Sequence, residues 1–202
     1  MKKYELDKND SIEVDEHILY RIIYTDEFCE EIKKVYGLYM FDIKGGYIES
    51  EDNLSQDDYA IVTDNGMVYD NGTVTGNASV ENNAVVKDNA VVGGHARIRD
   101  YGRVKSYGVV TGYASVFDCA IVTGRARVTG CARIKDYVSI KDYSIVSGNV
   151  LIKNHALISG NSEVSGDATI RDYAVISGDS VVHGSAIVGN KSILKNVSLK
   201  ED

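Results

Sequence analysis

Gly108-Val109-Val110-Thr111-Gly112-Tyr113, Ala114-Ser115-Val116-Phe117-Asp118-Cys119 and Ala120-Ile121-Val122-Thr123-Gly124-Arg125 are one six-residue pattern written three times over residues 108–125. Each hexad opens on a small residue, places an aliphatic one two positions later, and closes on a pair whose first member is Gly or Asp. The pattern runs far in both directions: stepping by six from Val62 to Leu194 gives 23 positions, all Val, Ile or Leu. A small residue stands two positions earlier in 21 of the 23, Val138 and Val150 being the exceptions. In an extended chain, positions two apart share a face, so the small and the aliphatic residue point inward together and their neighbours point out. Each hexad is predicted to be a short strand followed by a two-residue corner.

The corners carry a longer period. Every third hexad closes on Gly76, Gly94, Gly112, Gly130, Gly148, Gly166 or Gly184, and another third on Asp64, Asn82, Asp100, Asp118, Asp136, Asn154, Asp172 or Asn190. Gly, Asn and Asp tolerate the left-handed backbone conformation, so these are sharp turns. Three corners every 18 residues describe a triangular coil, and stacked coils pair their backbones at ~4.8 Å per layer. A helix is excluded, because a period of six sets successive apolar residues ~240° apart and makes no stripe. A β-sandwich needs longer strands and less regular turns.

The repeat Val-x-Gly/Asp-x-Ala-x, as in Val110-Thr111-Gly112-Tyr113-Ala114-Ser115, resembles the hexapeptide repeat of left-handed parallel β-helix proteins. The resemblance covers about two thirds of the chain and implies the left-handed winding, which the period alone does not give and which runs against the usual crossover rule. The implied fold is all-β, a single left-handed parallel β-helix of about 7–8 coils over residues 58–202, with a small α+β cap over residues 1–57. Gly45-Gly46-Tyr47-Ile48-Glu49 followed by Asn53-Leu54-Ser55-Gln56 also resembles the leader of a group of bacterial and prophage hexapeptide-repeat proteins, whose members generally lack an assigned reaction. Asp57-Asp58-Tyr59 departs from that group's pattern.

In the proposed cap, His17 to Tyr24 and Val35 to Ile43 are apolar, aromatic runs of strand length. Residues 25–34 between them read as a short helix, with Thr25 as N-cap, acids early and lysines late. The end of a solenoid exposes an unpaired rim and an open core, and this unit is most simply its lid. The lid holds the chain's charge: residues 1–57 carry 15 Asp/Glu against 7 Lys/Arg, the rest 15 of each, so the net −8 belongs to the first quarter. That excess either keeps the end from stacking on other edges or offers an acidic docking surface to a basic partner. Cys29, Cys119 and Cys131 match no zinc or disulfide spacing and read as reduced thiols. No apolar run is long enough to span a membrane and no secretion signal opens the chain, which predicts a cytoplasmic protein without a membrane partner.

Function is sought on the outward positions. The first face collects Arg97, Arg99, Arg133, Lys135, Lys153 and Arg171 around Phe117, a candidate site for phosphates or nucleic acid that Asp100, Asp118, Asp136 and Asp172 on the adjacent corner partly neutralise. The third face shows Val91, Val109, Ile145 and Val181 with Thr111 and Thr129, nearly uncharged, and is the candidate interface for self-association or a protein partner. Tyr101, Tyr107, Tyr113, Tyr137, Tyr143 and Tyr173 occupy second-corner positions, where they either pack along an edge or grip a flat ligand.

Many proteins of the resembled fold are acyltransferases or zinc enzymes, which need a histidine base beside a crevice or three histidines on one metal. Here His95 and His155 stand in different corner columns, His183 lies on the third face and His17 in the lid. No metal site within one chain and no cofactor are expected, and the hexads run without an insertion that would cradle coenzyme A. The leading expectation is a non-catalytic binding or assembly protein, in one version a prophage product that blocks a host factor. The alternatives are an oligomeric acyltransferase using His95 or His155 at a subunit boundary, and a nucleotide- or polyanion-binding protein.

Overall fold

The computed structural model describes residues 2–36 and 42–201. The hexads form a β-solenoid of stacked coils, each hexad contributing a strand of two to four residues that pairs in parallel within one of three sheets, which hold 11, 8 and 8 strands in all. Register follows the 18-residue period: Arg97 pairs with Ser79 and Ser115, and Ile98 with Val80 and Val116. Each rung donates to the next, as Arg97 N to Ala114 O at 2.9 Å and Arg99 N to Val116 O at 3.0 Å. The inward aliphatics Val62 to Val188 are buried throughout, with the Ala column beside them.

All three corner columns take positive φ, including Gly130 at 71° and Asp136 at 61°. The corner carboxylates and amides also fasten successive layers. Asp136 Oδ2 accepts from the backbone N–H of Asn154 at 2.8 Å, and Asp118 Oδ2 from that of Asp136 at 3.1 Å. The Asp/Asn column is thus selected twice, by backbone conformation and by an acceptor that reaches the next coil.

The coils continue beyond the hexad run at both ends. Before Val62, Ile48 pairs with Val68 and Leu54 bridges to Val74, both fully buried, although the spacing from Leu54 to Val62 is eight. The two extra residues fall in the bend over residues 56–59, while the 3-10 turn at Glu51–Asn53 forms the preceding corner, with the buried Asn53 amide donating to the carbonyls of Asp70 and Gly72 at 2.9 Å. After Leu194 the next inward residue is Leu199, five positions on, so Val181 pairs with Ser198 rather than with its 18-residue successor.

The N-terminal residues form β1 (Tyr4–Val14), β2 (His17–Tyr24), α1 (Asp26–Tyr36) and β3 (Lys44–Ile48). Strand β2 and the helix stand where the sequence places them, with Thr25 Oγ1 accepting from Phe28 N at 3.3 Å as N-cap. Strand β1 has no clear signature in the sequence: its alternating burial is diluted by the polar run Asp7 to Ser11, where the β1–β2 register shifts. The strand expected over 35–43 is corrected at its start, since α1 extends through Tyr36. Residues 37–41 of that stretch lie outside the described residues.

The hairpin β1–β2 joins β3 antiparallel, and β3 runs parallel to the coils, so one face of the solenoid continues into the N-terminal unit. Tyr4, Ile22, Tyr24, Phe28 and Ile32 close the open end of the core. Their polar atoms stand in for a missing rung. Tyr24 OH accepts from Val62 N at 2.8 Å and donates to Val62 O at 3.0 Å, Tyr4 OH donates to Leu54 O at 2.7 Å, and the buried Lys3 ammonium donates to Ala60 O at 2.8 Å. A second small core lies outside the coils, where Ile12, Val14 and Leu19 of the hairpin pack on Tyr47, Tyr69, Met67 and Val85. No helix among the described residues is long and apolar enough to cross a membrane.

Candidate functional site

On the third face, parallel pairing sets Val91, Val109, Arg127, Ile145, Glu163 and Val181 in one outward row. Val91, Ile145 and Val181 are exposed at 38%, 41% and 36%, while Val109 is half-buried. The parallel row of hydroxyls is half-buried, with Thr111 Oγ1 donating to Thr129 Oγ1 at 3.4 Å. All six interface candidates from the sequence therefore lie on one flat surface, interrupted by Arg127 and Glu163.

The six cations of the first face also line up, yet four are engaged. Arg97 pairs with Glu81 at 3.4 Å, Arg99 with Asp100 at 3.6 Å, Lys135 with Asp136 at 4.0 Å and Arg171 with Asp172 at 3.7 Å. Arg99 also lies over the Phe117 ring at 4.5 Å. Exposed pairs of this kind contribute little stability, but they weaken the field that a polyanion would follow.

Five of the six corner tyrosines, all but Tyr101, stack on a flat side chain of a neighbouring layer. His155 lies between Tyr137 and Tyr173, with ring centroids 5.1 and 4.8 Å away and planes within 3°. His95 stacks on Tyr113 at 4.6 Å, and Arg125 fills the layer between Tyr107 and Tyr143. Layers 18 residues apart bring identical corner positions into register, so any flat side chain there meets its neighbour face to face. The two candidate bases, His95 and His155, are not brought together. His95 does border a cleft of about 400 Å³ between α1 and the first face, lined also by Ile32, Tyr59, Glu81, Arg97 and Tyr113.

The cap supplies a charged constellation that no motif in the sequence announces. His17 Nδ1 lies 3.0 Å from Glu49 Oε1 and its Nε2 lies 3.0 Å from Asp70 Oδ1, with all three side chains half-buried. Glu49 Oε2 accepts from the backbone N–H of Asp70 at 2.8 Å. The Glu49 hydrogen bond raises the pKa of His17, Asp70 and Asp15 adding to the effect, and His17 in turn lowers that of Glu49. Beside it, Asp15 Oδ2 takes Lys87 Nζ and Tyr69 OH, each at 2.8 Å, which raises the Lys87 pKa. His17, Glu49 and Asp70 are 32 and 21 residues apart. Only the docking of the hairpin joins them, and the lone hint in the sequence is a histidine within the lid.

Several acids of this end are engaged, Asp10 with Arg21, Glu30 with Lys33, Glu31 with Tyr59 OH, and Asp58 with Lys3. Glu5, Glu13, Glu16, Asp26 and Glu27 remain exposed. Among the described residues Cys29 is a buried free thiol, and Cys119 and Cys131 are exposed ones. The chain matches no known family model and no curated protein sequence.

Proposed function

We propose that this protein is a non-catalytic binding and assembly module, in which the solenoid holds flat faces rigid while the third face and the acidic cap make the contacts. The observation that carries this reading is the row Val91, Val109, Ile145 and Val181 beside Thr111 and Thr129: a planar, weakly charged surface with exposed β-branched side chains. Such a surface loses little polar hydration on contact and suits a second flat face. Glu13, Glu16, Asp26 and Glu27 on the cap add a surface for a basic partner, and the prophage resemblance of residues 45–56 favours a host protein that is bound and blocked.

The test has two arms on the full chain. Val91→Lys with Ile145→Lys should dissociate self-assembled protein in sedimentation velocity. Reversing Glu13, Glu16, Asp26 and Glu27 to Lys should release a protein captured from the native host. A monomeric wild type that keeps every captured protein in both variants would sink the reading.

The alternative, an oligomeric acyltransferase with its histidine at a subunit boundary, is supported by the cleft beside His95, which Arg97, Glu81 and Tyr113 also line. Acetyl-CoA turnover that is lost in His95→Ala would establish it over the binding module.

A further inference from the structure

The imidazole of His17 touches a carboxylate at each nitrogen, at 3.0 Å on both sides. A neutral imidazole carries one N–H, so it satisfies one of these contacts and turns a lone pair towards the other oxygen. Two carboxylates flank this one imidazole, and a divalent cation that takes a ring nitrogen together with carboxylate oxygens matches their charge in place of a ring proton. One ligand atom from each of His17, Glu49 and Asp70 lies within 4.8 Å of the others, so modest side-chain rotations draw them onto a common ion. A cleft of about 450 Å³ opens beside the three and is lined by Ser50, Asp52, Asn53 and Thr73, leaving room for waters to complete the coordination. One imidazole nitrogen with carboxylate oxygens is a donor set for zinc or manganese.

We propose that His17, Glu49 and Asp70 form a divalent transition-metal site that fastens the N-terminal hairpin to the first two coils. The site draws its ligands from three separate segments: the start of β2, the residue after β3, and a corner of the next coil. Metal binding therefore favours the docked hairpin over any state in which it has lifted, and the folded chain gains stability with metal concentration.

The test uses the full chain carrying Cys119→Ser and Cys131→Ser, which removes the exposed thiols that would also take zinc. After treatment with EDTA, zinc and then manganese are titrated in by calorimetry near neutral pH. One ion per chain is expected, with binding weakened at least about tenfold in His17→Gln and in Asp70→Asn. Asp70→Asn keeps the turn intact, because Asn occupies other positive-φ corners such as Asn82 and Asn154. His155→Gln should bind as the parent does, and the melting temperature should rise with metal in the parent but not in His17→Gln. No uptake of either ion, or uptake unchanged in His17→Gln and Asp70→Asn, overturns the proposal. So does a loss of stability in His17→Gln under EDTA without metal binding by the parent, which would leave the cluster as an ion pair alone.

Discussion

At Gly130 the backbone has φ of 71°, and a methyl group there would sit 2.6 Å from Gly148 N and 2.7 Å from Gly148 O. Gly130→Ala meets both a left-handed backbone, costing about 1–2 kcal/mol for an L-residue, and a clash with the next layer's main chain. Its denaturant midpoint should fall well below that of Asp136→Asn, which keeps both the turn and an acceptor for Asn154 N. Lys3 shows the opposite case of a residue kept against its solvation. Burial pushes its ammonium down from 10.5 to about 8, Asp58 partly opposing the shift. The unfolded chain therefore holds more protons than the folded one between about pH 8 and 10.5, and Lys3 makes stability rise with pH across that window. Lys3→Met should lack this rise when wild type and variant are compared by denaturant titration at both ends of the window. The corner glycines and aspartates were legible from their spacing. Lys3 was not, since a lysine near a chain start reads as solvated until a buried carbonyl is found to receive it.

Among the elements, β2 does what a preceding rung would do. Tyr24 OH satisfies both the N–H and the C=O of Val62, the first inward aliphatic of its face, from within a buried site. Tyr24→Phe keeps the ring packing and orphans both backbone groups, at roughly 1–3 kcal/mol for each group left unpaired in the interior. The loss should appear as a lower unfolding midpoint and as faster amide exchange at Val62, with the coils around Val146 unaffected. The helix was readable from Thr25 and its charge gradient. The first strand was hidden, because the polar run between Asp7 and Ser11 interrupts its alternation where the register shifts. The second, outer core of Leu19, Tyr47 and Tyr69 had no signature either, since the side chains that cover Tyr47 and Tyr69 come from a hairpin distant in sequence.

Across the whole molecule, each coil contacts its neighbours in the stack, so length is adjustable while register is not. Deleting residues 112–129 joins Thr111 to Gly130 in an equivalent position and shortens the stack by ~4.8 Å. The shortened chain should keep the circular dichroism and cooperative melting of the parent, whereas deleting 112–128 turns every following aliphatic outward and should yield aggregated protein. The natural five-residue step from Leu194 to Leu199 is met by a shift in pairing, Val181 with Ser198 and Val182 with Leu199.

Period, inward face, corner residues and the uneven charge of the chain follow from sequence alone, because a repeat of short strands is decided by contacts between residues a constant distance apart. The reach of Arg97 back to Glu81, the cleft between the helix and the first face, and the joining of His17 to Glu49 and Asp70 came from the tertiary structure. Those depend on which way side chains lean across layers and on how an aperiodic hairpin docks against a periodic edge. Neither has a fixed spacing along the chain from which it can be read.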